Sequence, residues 1–255
     1  MQSMVISLKK ATERRTHIQN EFGKQKINFN FFDALTPDLA LPLAEKMKLN
    51  IQEERLAPGE LACFMSHVAL WQKMVDENIP HMVIFEDDVF LGENAAKILN
   101  SNDWIQPDWN IIKIEAFSPQ VIMDHPIKLQ DVDRDILVLK AKNLGTAGYI
   151  LSLQGAKAYL NFIQNRPLIP LDELMFDLFI RETTLDIHQM SPALCIQEMI
   201  LFPEKASVLP SNLLAERKQR MKKFKKKGWK KLGAELNRII TQLKYVLLSK
   251  KIEFK

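Results

Sequence analysis

The sequence predicts an α/β sandwich around a largely parallel central sheet, followed by a basic helical tail. Three observations predict it. Up to about residue 200, short β-branched and aromatic runs alternate with longer stretches of helical periodicity, the pattern of strands joined by helical crossovers. With 255 residues, 47% of them hydrophobic and 26% charged, the chain can bury one substantial core. Charge is also divided along the chain: from Arg217 to Lys255, 15 Lys/Arg stand against 2 Glu, a net of +13, whereas residues 1–216 carry 20 basic and 29 acidic side chains, a net of −9. The expected organisation is a domain over 1–216 and a basic amphipathic tail over 217–255.

The elements follow in order. Met4–Leu8 reads as the first strand, and the helix Thr12–Phe22 is opened by a capping pattern at Ala11–Arg15. Ile27–Phe32 is the next strand, then come helices over Pro37–Leu49 and Gly59–Asn78. Met82–Phe85 is a buried strand and Glu93–Leu99 a short helix. Strands are expected over Asn110–Ile114, Ile136–Leu139 and Tyr149–Ser152, the last feeding a helix over Leu153–Gln164. Asp172–Glu182 completes the helices. Sheets of this kind bind ligands at the carboxyl ends of their strands, so residues just past a strand carry the functional expectations.

Cys63 and Cys195 both lie in apolar stretches and read as buried, reduced thiols. MVISL runs straight into KKATERR, too short an apolar stretch for a signal peptide. No window approaches the roughly 20 apolar residues of a membrane span. The expected location is the cytoplasm.

Glu86-Asp87-Asp88 follow the strand Met82–Phe85 without a break, in VIFEDDVF (residues 83–90). Three adjacent carboxylates repel one another and are costly to desolvate unless a cation compensates. Hard oxygen ligands suit Mn²⁺ or Mg²⁺, which share carboxylates with substrate phosphates. Glu86 and Asp88 are therefore expected at the cation or its waters, with Asp87 a ligand or a ribose contact. Asp131-Val132-Asp133 has a similar spelling but sits in the polar run QDVDRD and reads as a solvated loop. A metal-dependent phosphodiesterase is the rival chemistry from a different class. It would want a richer His/Asp set for two metals than five scattered histidines supply.

In these blocks the sequence resembles glycosyltransferase family 25, the lipooligosaccharide galactosyltransferase-like group, from about residue 3 to residue 217. VISLKKATERR is similar to the family's first strand and Arg-bearing helix, and FNFFDAL to its second strand. PGELACFMSHVALWQKM, VIFEDDVFL, GTAGYILSLQGAKAYL and PLDELMF follow in the family's order. The resemblance implies a GT-A-like nucleotide-sugar-binding fold, a divalent cation and inversion at the anomeric carbon. It also implies transfer of galactose, often β1,4-linked, to lipooligosaccharide outer core. UDP-glucose, UDP-GlcNAc or a heptose nucleotide are the alternative donors. Glu173 stands where the family often has an aromatic residue, and Ser211-Asn212 where it often has Ser-Asp.

Asp172 is the expected base for the acceptor hydroxyl, with Glu173 its rival. Both open a helix, where the dipole favours the ionised form. Donor contacts are expected from Ser7, Leu8, Asp33 and Ala34 at the first two strand ends. Arg14 or Arg15 is expected at phosphate, with Arg15 preferred. Ser66 and His67 are expected in the donor pocket and Gly145-Thr146 at close backbone approach to a ligand. His188 is a further possible metal ligand.

RKQRMKKFKKKGWKK (217–231) places ten Lys/Arg among Met221, Phe224 and Trp229. Beyond it, Leu232, Leu236, Ile239, Ile240, Leu243, Val246 and Leu247 recur at helical spacing. The expectation is a peripheral anchor on the anionic inner face of the bacterial inner membrane. Nucleic acid is not expected as a partner, because the body is acidic and lacks a binding fold.

Overall fold

Alternation along one buried strand organises both layers of the molecule. In the computed structural model, which describes residues 1–52, 54–130, 132–204 and 248–255, strand β3 (His81–Glu86) sends Met82 and Ile84 to one face and Val83 and Phe85 to the other. The first face packs with Phe64, Trp71, Tyr159 and Phe179, the second with Phe22, Trp109 and Ile112. A strand apolar on both faces has to be covered on both, and that requirement makes the sandwich.

β1 (Gln2–Ser7) leads into α1 (Thr12–Lys24), whose Ile18, Glu21 and Phe22 turn inward. β2 (Asn30–Asp33) is followed by α2 (Pro37–Lys46) and α3 (Pro58–Asp76). Both helices begin with proline, whose missing N–H costs nothing in the first turn. In α3 the Glu60 carboxylate also accepts from the Ala57 backbone N–H at 2.9 Å. Next come β4 (Val89–Leu91), α4 (Ala95–Leu99), β5 (Ile111–Lys113), β6 (Glu115–Ala116), β7 (Gln120–Lys128), β8 (Asp135–Leu139) and β9 (Gly148–Ser152). Ser152 caps α5 (Leu153–Gln164), its Oγ accepting from Gly155 N at 3.0 Å. The expected helix from Asp172 is α6 (Leu171–Glu173) and α7 (Phe179–Glu182) with a π-helical turn, Leu174–Leu178, between them. β10 (His188–Ser191), β11 (Cys195–Gln197), α8 (Glu198–Leu201) and β12 (Ser249–Lys251) complete the described elements.

Nine strands form one sheet in the order β12-β7-β8-β10-β5-β9-β3-β1-β2, and β4-β11-β6 form a smaller one. The expected α/β architecture with a large central sheet is present, but the sheet is mixed rather than largely parallel. Only β1 with β2, β1 with β3, and β5 with β10 run parallel among the described strands of the large sheet. Parallel neighbours require a crossover, which α1 and the α2–α3 pair supply. From β5 to β9 the connections are short loops, and β9 inserts antiparallel between β3 and β5. Hydrophobic periodicity reports that a strand is buried and says nothing of its direction.

The chain end returns to the domain. β12 adds antiparallel to β7, the Arg134 guanidinium donates to the carbonyls of Pro192 (2.7 Å), Glu93 (2.8 Å) and Lys255, and Ala193 N donates to Glu253 O at 2.7 Å. Residues 249–255 of the expected helical tail are therefore extended and docked. The rest of the tail, the boundary at 216/217 included, lies outside the described residues. No described helix is long and apolar enough to cross a membrane. Cys63 and Cys195 are both free thiols.

Candidate active site

The parallel register of β1, β2 and β3 brings three strand ends to one edge. Ser7 lies opposite Asp33 and Ile6 opposite Glu86, so the residues that follow share one mouth. Beneath them is a cleft of about 570 Å³, the size of small-molecule sites, whose walls include Ser7, Leu8, Ala34, Ser66, Glu86 and Asp87.

The three carboxylates meet different fates. Asp87 is paired with Arg14 at 2.5 Å, and the same guanidinium stands 3.7 Å from Asp88. Burial pulls the Arg14 guanidinium down, but Asp87 and Asp88 more than offset it and hold its pKa above the ordinary value. Asp88 also accepts from Gln197 Nε2 at 3.2 Å. Burial still raises the Asp88 carboxyl, against the pull of Arg14. Among the described residues no Lys or Arg pairs with Glu86, and its Oε1 accepts from Thr146 Oγ1 at 2.6 Å. Burial first, then the charge of Asp88, push its carboxyl up to about 8. One arginine thus pairs with Asp87 and lies near Asp88, one positive charge against three acids, and the oxygen donors of Glu86 and Asp88 are of the kind that fits Mg²⁺ or Mn²⁺.

Behind Glu86 lies a buried chain of polar rings. Tyr149 Oη accepts from Trp71 Nε1 at 2.9 Å and meets His67 Nδ1 at 2.8 Å. His67 Nε2 stands 3.9 Å from Glu86 Oε1. Burial drives the imidazole down to about 3, so His67 is neutral. His67, expected in the donor pocket, is fully buried behind Glu86 and does not itself line the cleft.

Gly145-Thr146 sit where β9 begins, fastened from below. Lys113 Nζ donates to Glu115 Oε2 at 2.7 Å and to the Gly145 carbonyl at 2.5 Å, and Ala147 N donates to Glu115 Oε2 at 3.0 Å. At φ +91° Gly145 occupies the left-handed region, and a Cβ there would meet both Glu115 oxygens at 2.7 Å. Glycine is required, and the turn it makes presents Thr146 to Glu86.

Other expected residues take more structural places. Arg15 pairs with Asp33, donates to the Ser7 carbonyl at 3.0 Å and lies 4.7 Å over the Phe31 ring. Arg14 rather than Arg15 lines the cleft. The bond from Arg15 lowers the Asp33 carboxyl. Ser66 accepts from Leu35 N at 2.9 Å and donates to Ala62 O at 2.7 Å, fixing the segment after β2. Asp172 is buried at the start of α6, accepts from Glu173 N at 3.0 Å and acts electrostatically on Cys63, which lines the cleft. His188 is excluded from the acidic cluster. It begins β10 beside Ile112, in register through Ile150 with Val83 rather than with Glu86, and stacks obliquely on Trp109. Asp133 is an exposed loop residue paired with Lys255 at 2.7 Å, in accord with the solvated reading.

Sequence reasoning missed Lys113, Glu115, Tyr149, Gln197 and Cys63. In IIKIEAF the alternating charges of Lys113 and Glu115 look solvent-facing, yet both are fully buried as a pair. Only their even spacing hints that they share a face.

The profile of glycosyltransferase family 25 (LPS biosynthesis protein) matches residues 1–175. The chain is 42% identical to the lipooligosaccharide biosynthesis protein lic2B of Haemophilus influenzae, over 89% of this chain and 86% of that protein. It is 36% identical to lex-1, a lipooligosaccharide biosynthesis protein of the same species, over 90% and 87% of the two chains. Identity to the lacto-N-neotetraose biosynthesis glycosyltransferase LgtE of Neisseria meningitidis is also 36%, over 86% and 82%. Among solved structures, a glycosyltransferase involved in the glycosylation of the major capsid of PBCV-1 matches over 87% of this chain and 99% of its own at 10% identity and TM-score 0.40, too distant to bear on activity. The chain belongs to glycosyltransferase family 25, and its partners are a nucleotide-sugar donor and a glycan acceptor.

Proposed function

We propose that this transferase moves galactose from UDP-galactose to a sugar hydroxyl of lipooligosaccharide outer core, forming a β1,4 linkage with inversion and using Mn²⁺ or Mg²⁺. The observation that carries the reading is the delivery of the Glu86-Asp87-Asp88 triplet, with one arginine against three carboxylates, to three parallel strand ends where Glu86 and Asp87 line the cleft. The lipooligosaccharide names of two relatives support the acceptor class. Galactose and the β1,4 linkage rest on the sequence resemblance.

Each residue then has a task. Ser7, Leu8, Asp33 and Ala34 line the nucleoside end, and Glu86 with Asp88 would hold the cation. A cation bound there neutralises charge on the departing diphosphate. Arg14 keeps Asp87 aligned, and Thr146 holds Glu86 by its hydroxyl. Asp172 takes the acceptor proton, with Glu173 beside it as the rival base. The glycan is brought to this mouth by the basic stretch 217–231, which we assign to the anionic cytoplasmic face of the inner membrane.

A donor panel tests the reading. UDP-galactose, UDP-glucose, UDP-GlcNAc and a heptose nucleotide are offered with Mn²⁺ and truncated lipooligosaccharide, and nucleotide release is measured. UDP release should depend on acceptor and be fastest with UDP-galactose. Preference for another sugar would replace the donor assignment, and no acceptor-dependent release with any of them would overturn the reading.

A further inference from the structure

We propose that Cys63, His67 and Glu86 form a second cation site, of a different chemical class, which takes a thiophilic divalent ion such as Zn²⁺. Cys63 and His67 are four residues apart on α3, so they lie one turn apart on the same helix face. β3 brings Glu86 to that face. A Cys63 sulfur, a His67 ring nitrogen and a Glu86 oxygen all lie within 4.8 Å of one another. Tetrahedral Zn²⁺ holds its ligand atoms roughly 3.3–3.7 Å apart, so the three need draw in by about 1 Å.

The second observation is a buried atom left without a partner. His67 Nε2 is fully buried, stands 3.9 Å from Glu86 Oε1 and has no hydrogen-bond partner among the described residues. A buried polar atom left this way costs stability unless something occupies the position. Its other ring nitrogen is held by Tyr149 Oη, which Trp71 Nε1 holds in turn. That outer shell is what an imidazole needs to ligate a metal in fixed orientation, with Nδ1–H donating to Tyr149 and Nε2 turned to the ion.

Ligand chemistry selects the ion. Thiolate, imidazole and carboxylate together suit Zn²⁺, whereas Mg²⁺ and Mn²⁺ favour oxygen donors throughout. Cys63 binds as thiolate, its proton leaving to solvent. Cys63 and Glu86 line the cleft, so a fourth position opens toward it. Glu86 is shared with the cation of the proposed transferase reaction. The two ions therefore compete for one carboxylate, and Zn²⁺ should inhibit a reaction that Mn²⁺ supports.

Co²⁺ is the spectroscopic stand-in for zinc. Titrated into metal-stripped, full-length protein, it should give a thiolate-to-cobalt charge-transfer band and intense tetrahedral visible bands, saturating at one ion per chain and lost on adding one equivalent of Zn²⁺. Cys63→Ser should lose the charge-transfer band while keeping the wild-type melting temperature. Should that variant fold poorly, the wild type decides: Zn²⁺ should protect Cys63, located by peptide mapping, from alkylation. No band in the wild type, a band that survives in a folded Cys63→Ser, or unprotected Cys63 would overturn the site. The inhibition rests on the proposed function, but the band does not. UDP release without a band removes this site alone, and a band without UDP release removes the transferase assignment alone.

Discussion

Glu86 concentrates the physics of the site in one carboxyl. Its pKa of about 8, against an ordinary 4.5, comes from burial and from Asp88, with the Thr146 hydroxyl as partial offset. A pKa raised by folding makes a contribution that is complete at low pH and is lost as pH rises toward 8. His67 works on the other limb. Its depressed pKa of about 3 leaves stability intact above 6.5 and removes it as pH falls. The two overlap between 4.5 and 6.5, so Glu86 is best read above that range. With EDTA present, the melting temperature should fall between pH 6.5 and 8.5, and Glu86→Gln should flatten that fall. An unchanged slope in the variant would remove Glu86 as the cause. Asp172 makes a kinetic prediction. Asp172→Asn should lower kcat for transfer by about 10²–10⁴ while leaving the KM for donor near wild type, the split expected of a base that acts only on the acceptor proton. An unimpaired kcat would move the role to Glu173.

The turn before β9 shows how an element is made to serve a residue. Lys113 and Glu115, on strands consecutive in the chain, hold the backbone of residues 145–147, and Gly145 alone fits the left-handed position above them. Gly145→Ala should therefore destabilise the fold by about 1–3 kcal/mol and weaken cation binding, because Thr146 is re-aimed. Chemical denaturation and Mn²⁺ titration read the two effects. Loss of stability with unaltered Mn²⁺ affinity would separate the turn from the site. What was legible in the sequence follows from the same elements. β1, β3, α3 and α5 are long or strongly apolar, so their periodicity stands out. The acidic triplet is conspicuous because a buried strand delivers it. β7 is not, because it is exposed at most positions, carries Pro126 and is broken by an irregular register between Asp124 and Ile127. β4, β6 and β11 span two or three residues, too few for any period to register. Lys113, Glu115 and Cys63 escaped because their roles come from neighbours brought together by folding.

At the scale of the whole molecule, the chain end is part of the domain. β12 covers the edge of β7, and Arg134 holds the final carbonyl. Removing 248–255 should lower the melting temperature by several degrees, whereas replacing Lys and Arg of 217–231 with Gln should leave it unchanged and release the protein from anionic vesicles. Vesicle binding that survives the Gln replacements would remove the basic stretch as an anchor. Substitution is the cleaner test, because deleting 217–255 also strips β12 from the sheet. The central claim is that Glu86 and Asp88 hold the cation on which transfer depends. Acceptor-dependent UDP release from UDP-galactose tests it most directly, measured with and without Mn²⁺ in wild type and Asp88→Asn. The account predicts release by the wild type that EDTA abolishes and Mn²⁺ restores, with at least a hundredfold loss in the variant that Mn²⁺ does not rescue. Full release in EDTA, or a variant as active as wild type, would contradict it.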